Sequence, residues 1–129
     1  MTVYSREVKF HSKGTFFSRN LTDETSEVVR ESGVENGSVL VYSRHTTGAV
    51  LIVEHEAGML TDMEDVLERV IPADYEYRHH LRGFDENGAA HLRSALLSVS
   101  VTVPVVGGEL YLGRYQEILV LDMDPSEKI

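Results

Sequence analysis

Two short runs of β-forming residues, Ser38-Val-Leu-Val-Tyr-Ser43 and Ala49-Val-Leu-Ile-Val53, stand on either side of a break at His45-Thr-Thr-Gly48. They read as two neighbouring strands, or as one strand with a disrupted middle. A helix follows directly. From Gly58 to Ile71 the apolar residues Met59, Leu60, Met63, Val66, Leu67, Val70 and Ile71 recur at three- and four-residue spacing, with Asp62, Glu64, Asp65, Glu68 and Arg69 on the other face. Pro72 stops it.

The remaining segments fall into place around these. Val3 to His11 alternates as a half-buried strand does, with Val8 and Phe10 on one face. Leu21 to Ser32 is helical, with Thr22 as N-cap, acidic residues in the first turn and Gly33 at the C-terminal cap. The polar stretch Ala73 to Gly88 is long for a compact domain and is read as functional. A short helix, Ala89 to Leu97, precedes a strand from Val99 to Val106. The turn Val106-Gly-Gly-Glu109 leads on to a final strand around Glu117 to Asp122. Strands at both ends and in the middle, separated by helices, predict an α+β fold: a mixed, largely antiparallel sheet with helices packed on it, forming one domain over residues 1–129.

Composition excludes several kinds of chemistry. There is no cysteine, so any metal has to be held by nitrogen and oxygen ligands. A net charge of −9, from 12 basic and 21 acidic side chains, argues against nucleic acid as a partner. The charged, alternating start is not a signal-peptide core, and no apolar run approaches membrane-spanning length, so a cytoplasmic protein is expected, without a membrane partner. Few Asn and Gln and an excess of Arg over Lys lead to an expectation of heat tolerance, which a melting temperature would check.

Six histidines in a chain of this size raise the question of a metal site. His11, in a predicted strand, reads as structural. His45 lies where the β pattern breaks, a place that re-aims side chains. His79 lies in the polar connection and His91 at the start of the next helix, so a folded-back loop would bring both toward His45. No compact H-x-x-x-H pattern is present, so spacing alone leaves the histidines open between ligands and ordinary surface or core residues. Glu54 and Glu56 flank His55 at a strand end, where they are either partners of a cation or solvated at a loop rim. Arg44, Arg78, Arg82, Arg93 and Arg114 are candidates for gripping an anion.

Taken in order, His45-Thr-Thr, Glu54-His-Glu56, Asp62, Pro72, Tyr77-Arg-His79, Ala90-His-Leu-Arg-Ser94, Pro104-Val105, Gly108-Glu-Leu110 and Leu112-Gly-Arg-Tyr-Gln116 resemble the YjbQ family, from about residue 3 to residue 124. The resemblance implies an α+β homotrimer with a divalent metal, zinc above all, held by His45, His79 and His91. Glu54 and Gln116 then line the same pocket as catalytic groups, and Arg44, Thr47, Arg82, Arg93 and Ser94 contact a small phosphorylated molecule or anion. Three imidazoles would leave a coordination position open for Lewis-acid chemistry.

The activity implied is that of a secondary thiamine-phosphate synthase, joining a pyrimidine pyrophosphate to a thiazole phosphate. A non-catalytic ligand-binding or regulatory trimer is the alternative. This chain departs from the family pattern at His55, at Tyr115, at Ser98 in place of a usual glycine, and in Asp124-Pro-Ser-Glu-Lys128, where arginines are usual.

Overall fold

The protein is described by a computed structural model that covers residues 3–83 and 86–126. Its elements, in chain order, are β1 (Phe17–Asn20), α1 (Thr22–Ser32), β2 (Asn36–Tyr42), β3 (Gly48–Val53), α2 (Ala57–Val70), a 3-10 turn (Arg78–Arg82), α3 (Gly88–Leu97), β4 (Ser100–Val106), β5 (Glu109–Leu110) and β6 (Glu117–Asp122). The fold is α+β, with two small antiparallel sheets, ordered β1-β6-β3 and β2-β4-β5.

The runs Ser38–Ser43 and Ala49–Val53 are therefore not hydrogen-bonded partners. β2 pairs with β4, whereas β3 pairs with β6, from Gly48 opposite Asp122 to Val53 opposite Glu117. Side-chain alternation explains why both sheets are needed. On one face of the β1-β6-β3 sheet, Ala49, Leu119 and Leu121 pack with Leu67 of α2 and Ala90 of α3. On the other, Val50, Ile118 and Val120 pack with Val103 of β4. A strand buried on both faces reads as a continuous apolar run, which is what Ala49 to Val53 shows. The layers are helix pair, sheet, sheet.

Helix ends follow from local hydrogen bonding. Glu56 caps α2, its carboxylate accepting from Gly58 N–H and from Met59 N–H at 3.1 Å; this is the residue read as a rim carboxylate. Gly33 adopts φ 72° at the end of α1, as its position predicts. Thr22 is not the N-cap of α1. Leu21 occupies that place, and Asn20 Oδ1 accepts from the Thr22 N–H at 2.9 Å and from the Thr22 hydroxyl at 2.6 Å.

The expected first strand does not form. Residues 3–11 have no regular structure, and the Tyr4 hydroxyl donates to Glu31 at 2.8 Å while Arg6 reaches Glu27 and Glu31 at 3.4 Å. The segment is thus tied along α1 by polar contacts, and of its apolar residues only Phe10 packs on the core, while Val3 is 80% exposed.

Candidate functional site

The polar connection carries His79 and His80 and leads into the helix that carries His91. After α2 ends at Ile71, the chain turns through Tyr77, whose hydroxyl donates to the Pro72 carbonyl. Burial first of all, with Glu68 and Tyr75 adding, raises the Tyr77 pKa above the usual phenol value, against the pull of Arg93. The 3-10 turn that follows packs on the start of α3. Its anchor is His80, whose Nε2 accepts from the Gly88 N–H at 2.9 Å. That bond satisfies one of the amides that a helix start leaves without an internal partner. Gly88 is required there, because a Cβ at this position would meet Tyr77 Cβ at 2.8 Å and His80 Nε2 at 3.0 Å.

This packing sets His79 of the turn beside His91 of the first turn of α3, with ring centroids 4.5 Å apart and planes tilted by 52°. Both are half-buried. Asn87 stands next to them and is buried. Its Oδ1 lies 3.2 Å from His79 Nε2, and its Nδ2 donates to Asp124 Oδ2 at 3.1 Å. Arg82, exposed, brings Nη2 to 3.4 Å from the same His79 nitrogen. Just behind, the buried Asp122 carboxylate accepts from the Ser12 hydroxyl and from the Asp124 N–H.

His45 sits at the same end of the sheet. It precedes Thr47, whose carbonyl accepts from Met123 N–H at 2.9 Å, so the turn leading into β3 meets the segment that leaves β6 toward Asp124. In this single chain, however, His45 is exposed and does not join the other two imidazoles. Among the described residues, no three His, Asp or Glu side chains converge as a metal site. His79 and His91 bring two imidazoles together, donors of a type that suits a divalent metal but one fewer than the three protein ligands such a site ordinarily has.

Glu54 and Gln116 are at the opposite end. They follow and precede the pair Val53–Glu117, while the histidines lie beyond Gly48–Asp122. A strand rises roughly 3.3 Å per residue, so the length of β3 puts about 17 Å between the two ends. Within one chain, then, these two residues do not line the histidine pocket. Glu54 is exposed, and Gln116 uses its Oε1 to accept from Gly113 N–H at 2.8 Å.

The expected anion contacts divide the same way. Arg44 and Arg82 are exposed near the histidine end. Thr47 is buried, and Ser94 lies on the inward face of α3, with Ala90, at 3% exposure, so as placed it offers a ligand almost no surface. Arg93 is also buried. Its guanidinium donates to the Ile71 carbonyl at 2.7 and 3.0 Å and to Glu68 at 2.8 Å, stitching α3 to the end of α2. The cavity of about 210 Å³ that it borders also has Glu64, Glu68 and Glu86 on its walls, which disfavours an anion. The structure gives Arg93 a packing role in place of the expected one.

Asn87, Asp124 and His80 were missed in the sequence. Asn87 was legible only as one more polar residue in Glu86-Asn-Gly88, and Asp124 as part of a divergent tail.

Comparison with known proteins agrees with the fold. The profile described as "UPF0047 protein YjbQ-like" matches residues 6–128. A UPF0047 protein from Methanothermobacter thermautotrophicus is 38% identical over 124 residues, covering 96% of this chain and 85% of that protein. The crystal structure of a YjbQ-like protein of unknown function from Sulfolobus solfataricus superposes with a TM-score of 0.83 at 30% identity, covering 92% of this chain and 87% of the other. A hypothetical protein from Aeropyrum pernix gives a TM-score of 0.81 at 33% identity, covering 92% and 89%. With a match running through nearly all of its length, the chain belongs to the UPF0047 family of YjbQ-like proteins.

Proposed function

We propose that this protein is a zinc-dependent enzyme acting on a small phosphorylated metabolite, with a thiamine-phosphate synthase-like transfer as its reaction. The observation that carries the reading is the juxtaposition of His79 and His91, from separate elements, with ring centroids 4.5 Å apart. His79 and His91 would hold the ion together with His45, which sits in the exposed turn at the same end of the sheet. Bound there, zinc would supply Lewis-acid polarisation of a substrate oxygen. Arg82 and Arg44, exposed at this end, would take the phosphate, since a guanidinium offers paired donors to phosphate oxygens.

A homotrimer belongs to the same proposal. Glu54 and Gln116 lie too far from the histidines within a chain to act on the same substrate, and a neighbouring copy would be the source of such groups. Exposed apolar side chains support assembly: Leu40, Tyr42 and Val106 on the outer face of the β2-β4-β5 sheet, and Val66, Val70 and Leu96 between α2 and α3. The distance of Glu54 from the histidines also favours a second reading, a ligand-binding or regulatory trimer without turnover.

The test is to incubate zinc-loaded protein with a pyrimidine pyrophosphate and a thiazole phosphate and to follow pyrophosphate release. The enzyme reading predicts release that is lost in His91→Ala. Stabilisation by the ligands with no release would overturn it in favour of the binding reading.

A further inference from the structure

His79 and His80 are consecutive residues of one 3-10 turn, yet they are held in opposite senses. The Gly88 N–H donates to His80 Nε2 at 2.9 Å. That nitrogen is an acceptor, so neutral His80 carries its proton on Nδ1.

At His79 the sense is set by two further residues. Asn87 Nδ2 lies 3.1 Å from Asp124 Oδ2. A carboxylate only accepts, so the amide nitrogen has to face Asp124, and Asn87 Oδ1 is left facing His79 Nε2 at 3.2 Å. An amide oxygen also only accepts, so His79 Nε2 must be the donor. Asp124 is itself kept in place, its Oδ1 accepting from the Ser126 N–H at 3.0 Å and hydroxyl at 2.8 Å.

One contact argues the other way. Arg82 Nη2 lies 3.4 Å from the same His79 nitrogen, and a guanidinium cannot donate to an N–H. The Asn87 contact is the shorter, and Asn87 is buried where Arg82 is exposed. Turning the amide over would also set its NH2 against His79 and its oxygen against a carboxylate. The amide therefore prevails.

We propose that Asn87 and Asp124 are positioning residues that hold His79 in its Nε2–H tautomer, so that Nδ1 carries the lone pair this ring offers to a metal. The role offered to Nδ1 rests on the zinc reading above; the tautomer itself does not. A ligating histidine that donates its other N–H to a fixed acceptor has its ring orientation and basicity set by that acceptor. Here an amide stands in that place, with a carboxylate fixing which way the amide faces.

Long-range 15N–1H correlation spectra of metal-free protein, at a pH where the imidazoles are neutral, read both tautomers directly. The expected result is an Nε2–H pattern for His79 and an Nδ1–H pattern for His80, the latter serving as a control in the same turn. In Asp124→Asn the new amide can donate as well as accept, so Asn87 is free to turn over and His79 shifts to a mixture of tautomers, with His80 unchanged. An Nδ1–H pattern for His79 in the wild-type protein would overturn the proposal whether or not the variant folds. So would a folded Asp124→Asn protein whose His79 stays wholly in the Nε2–H form. Zinc binding, measured separately by calorimetry, decides the metal reading: protein that takes up no zinc but shows the expected tautomers would remove that reading and leave this one standing.

Discussion

His80 Nε2 accepts the Gly88 N–H at 2.9 Å, and this bond fixes the 3-10 turn to the start of α3. Because His79 belongs to that turn and His91 to that helix, their meeting depends on it. Gly88→Ala would place a methyl group 2.8 Å from Tyr77 Cβ and 3.0 Å from His80 Nε2. Overpacking of this kind costs about 1–3 kcal/mol. Urea denaturation should show that loss, and zinc affinity should fall along with it. A variant of unchanged stability would mean that the turn does not pack here.

Arg93 and Arg82 should respond differently to removal. Arg93→Ala leaves the half-buried Ile71 carbonyl without its donor and Glu68 without its cation, a loss of about 1–3 kcal/mol in folding stability. Arg82→Ala, on the surface, should stay within about 0.5 kcal/mol of the parent. Its effect should be on anion binding, weakening pyrophosphate affinity by about tenfold in calorimetry. The reverse pattern would exchange the roles assigned to them.

Glu68 predicts an acid-range dependence of stability. Its pKa is lowered, first by the Ala73 N–H donated to its carboxylate and then by the Arg93 hydrogen bond. A carboxylate with a depressed folded-state pKa contributes stability that is present above its unfolded pKa and lost as pH falls through the folded one. Glu68→Gln should therefore be less stable than the parent at neutral pH, with the difference shrinking on acidification. Parallel denaturation curves across the acid range, with a constant difference between them, would contradict this.

Ser98 ends α3 with φ 76° and ψ 161°, a region that belongs almost entirely to glycine and costs other residues about 1–3 kcal/mol. Ser98→Gly should relieve part of that strain and raise the unfolding midpoint. An unchanged or lower midpoint would show that the serine is not strained.

Much of this arrangement was open to reading in the residues, and the exceptions have physical causes. The stretch Ala49 to Val53 announced a strand, and the three- and four-residue apolar spacing of α2 announced a helix that Pro72 ends. Whether β2 and β3 pair with each other depends on partners far along the chain, β4 and β6, which local pattern does not encode. The Val3–His11 alternation was sound as a pattern, but the segment pairs with no strand, and Arg6 and Tyr4 tie it to α1 instead. At the site, His79 and His91 were identifiable by type and resemblance. Asn87 and Asp124 were not, because an amide that orients a ring and a carboxylate that orients the amide act only through their places in space.

The proposed function requires His79 and His91 to form two arms of one zinc site. Calorimetric titration of the purified, metal-free protein with zinc at neutral pH tests it most directly. One zinc per chain is expected, with binding abolished in both His79→Ala and His91→Ala and weakened in His45→Ala. Zinc uptake that is absent in the wild-type protein, or equal in all four proteins, would contradict it.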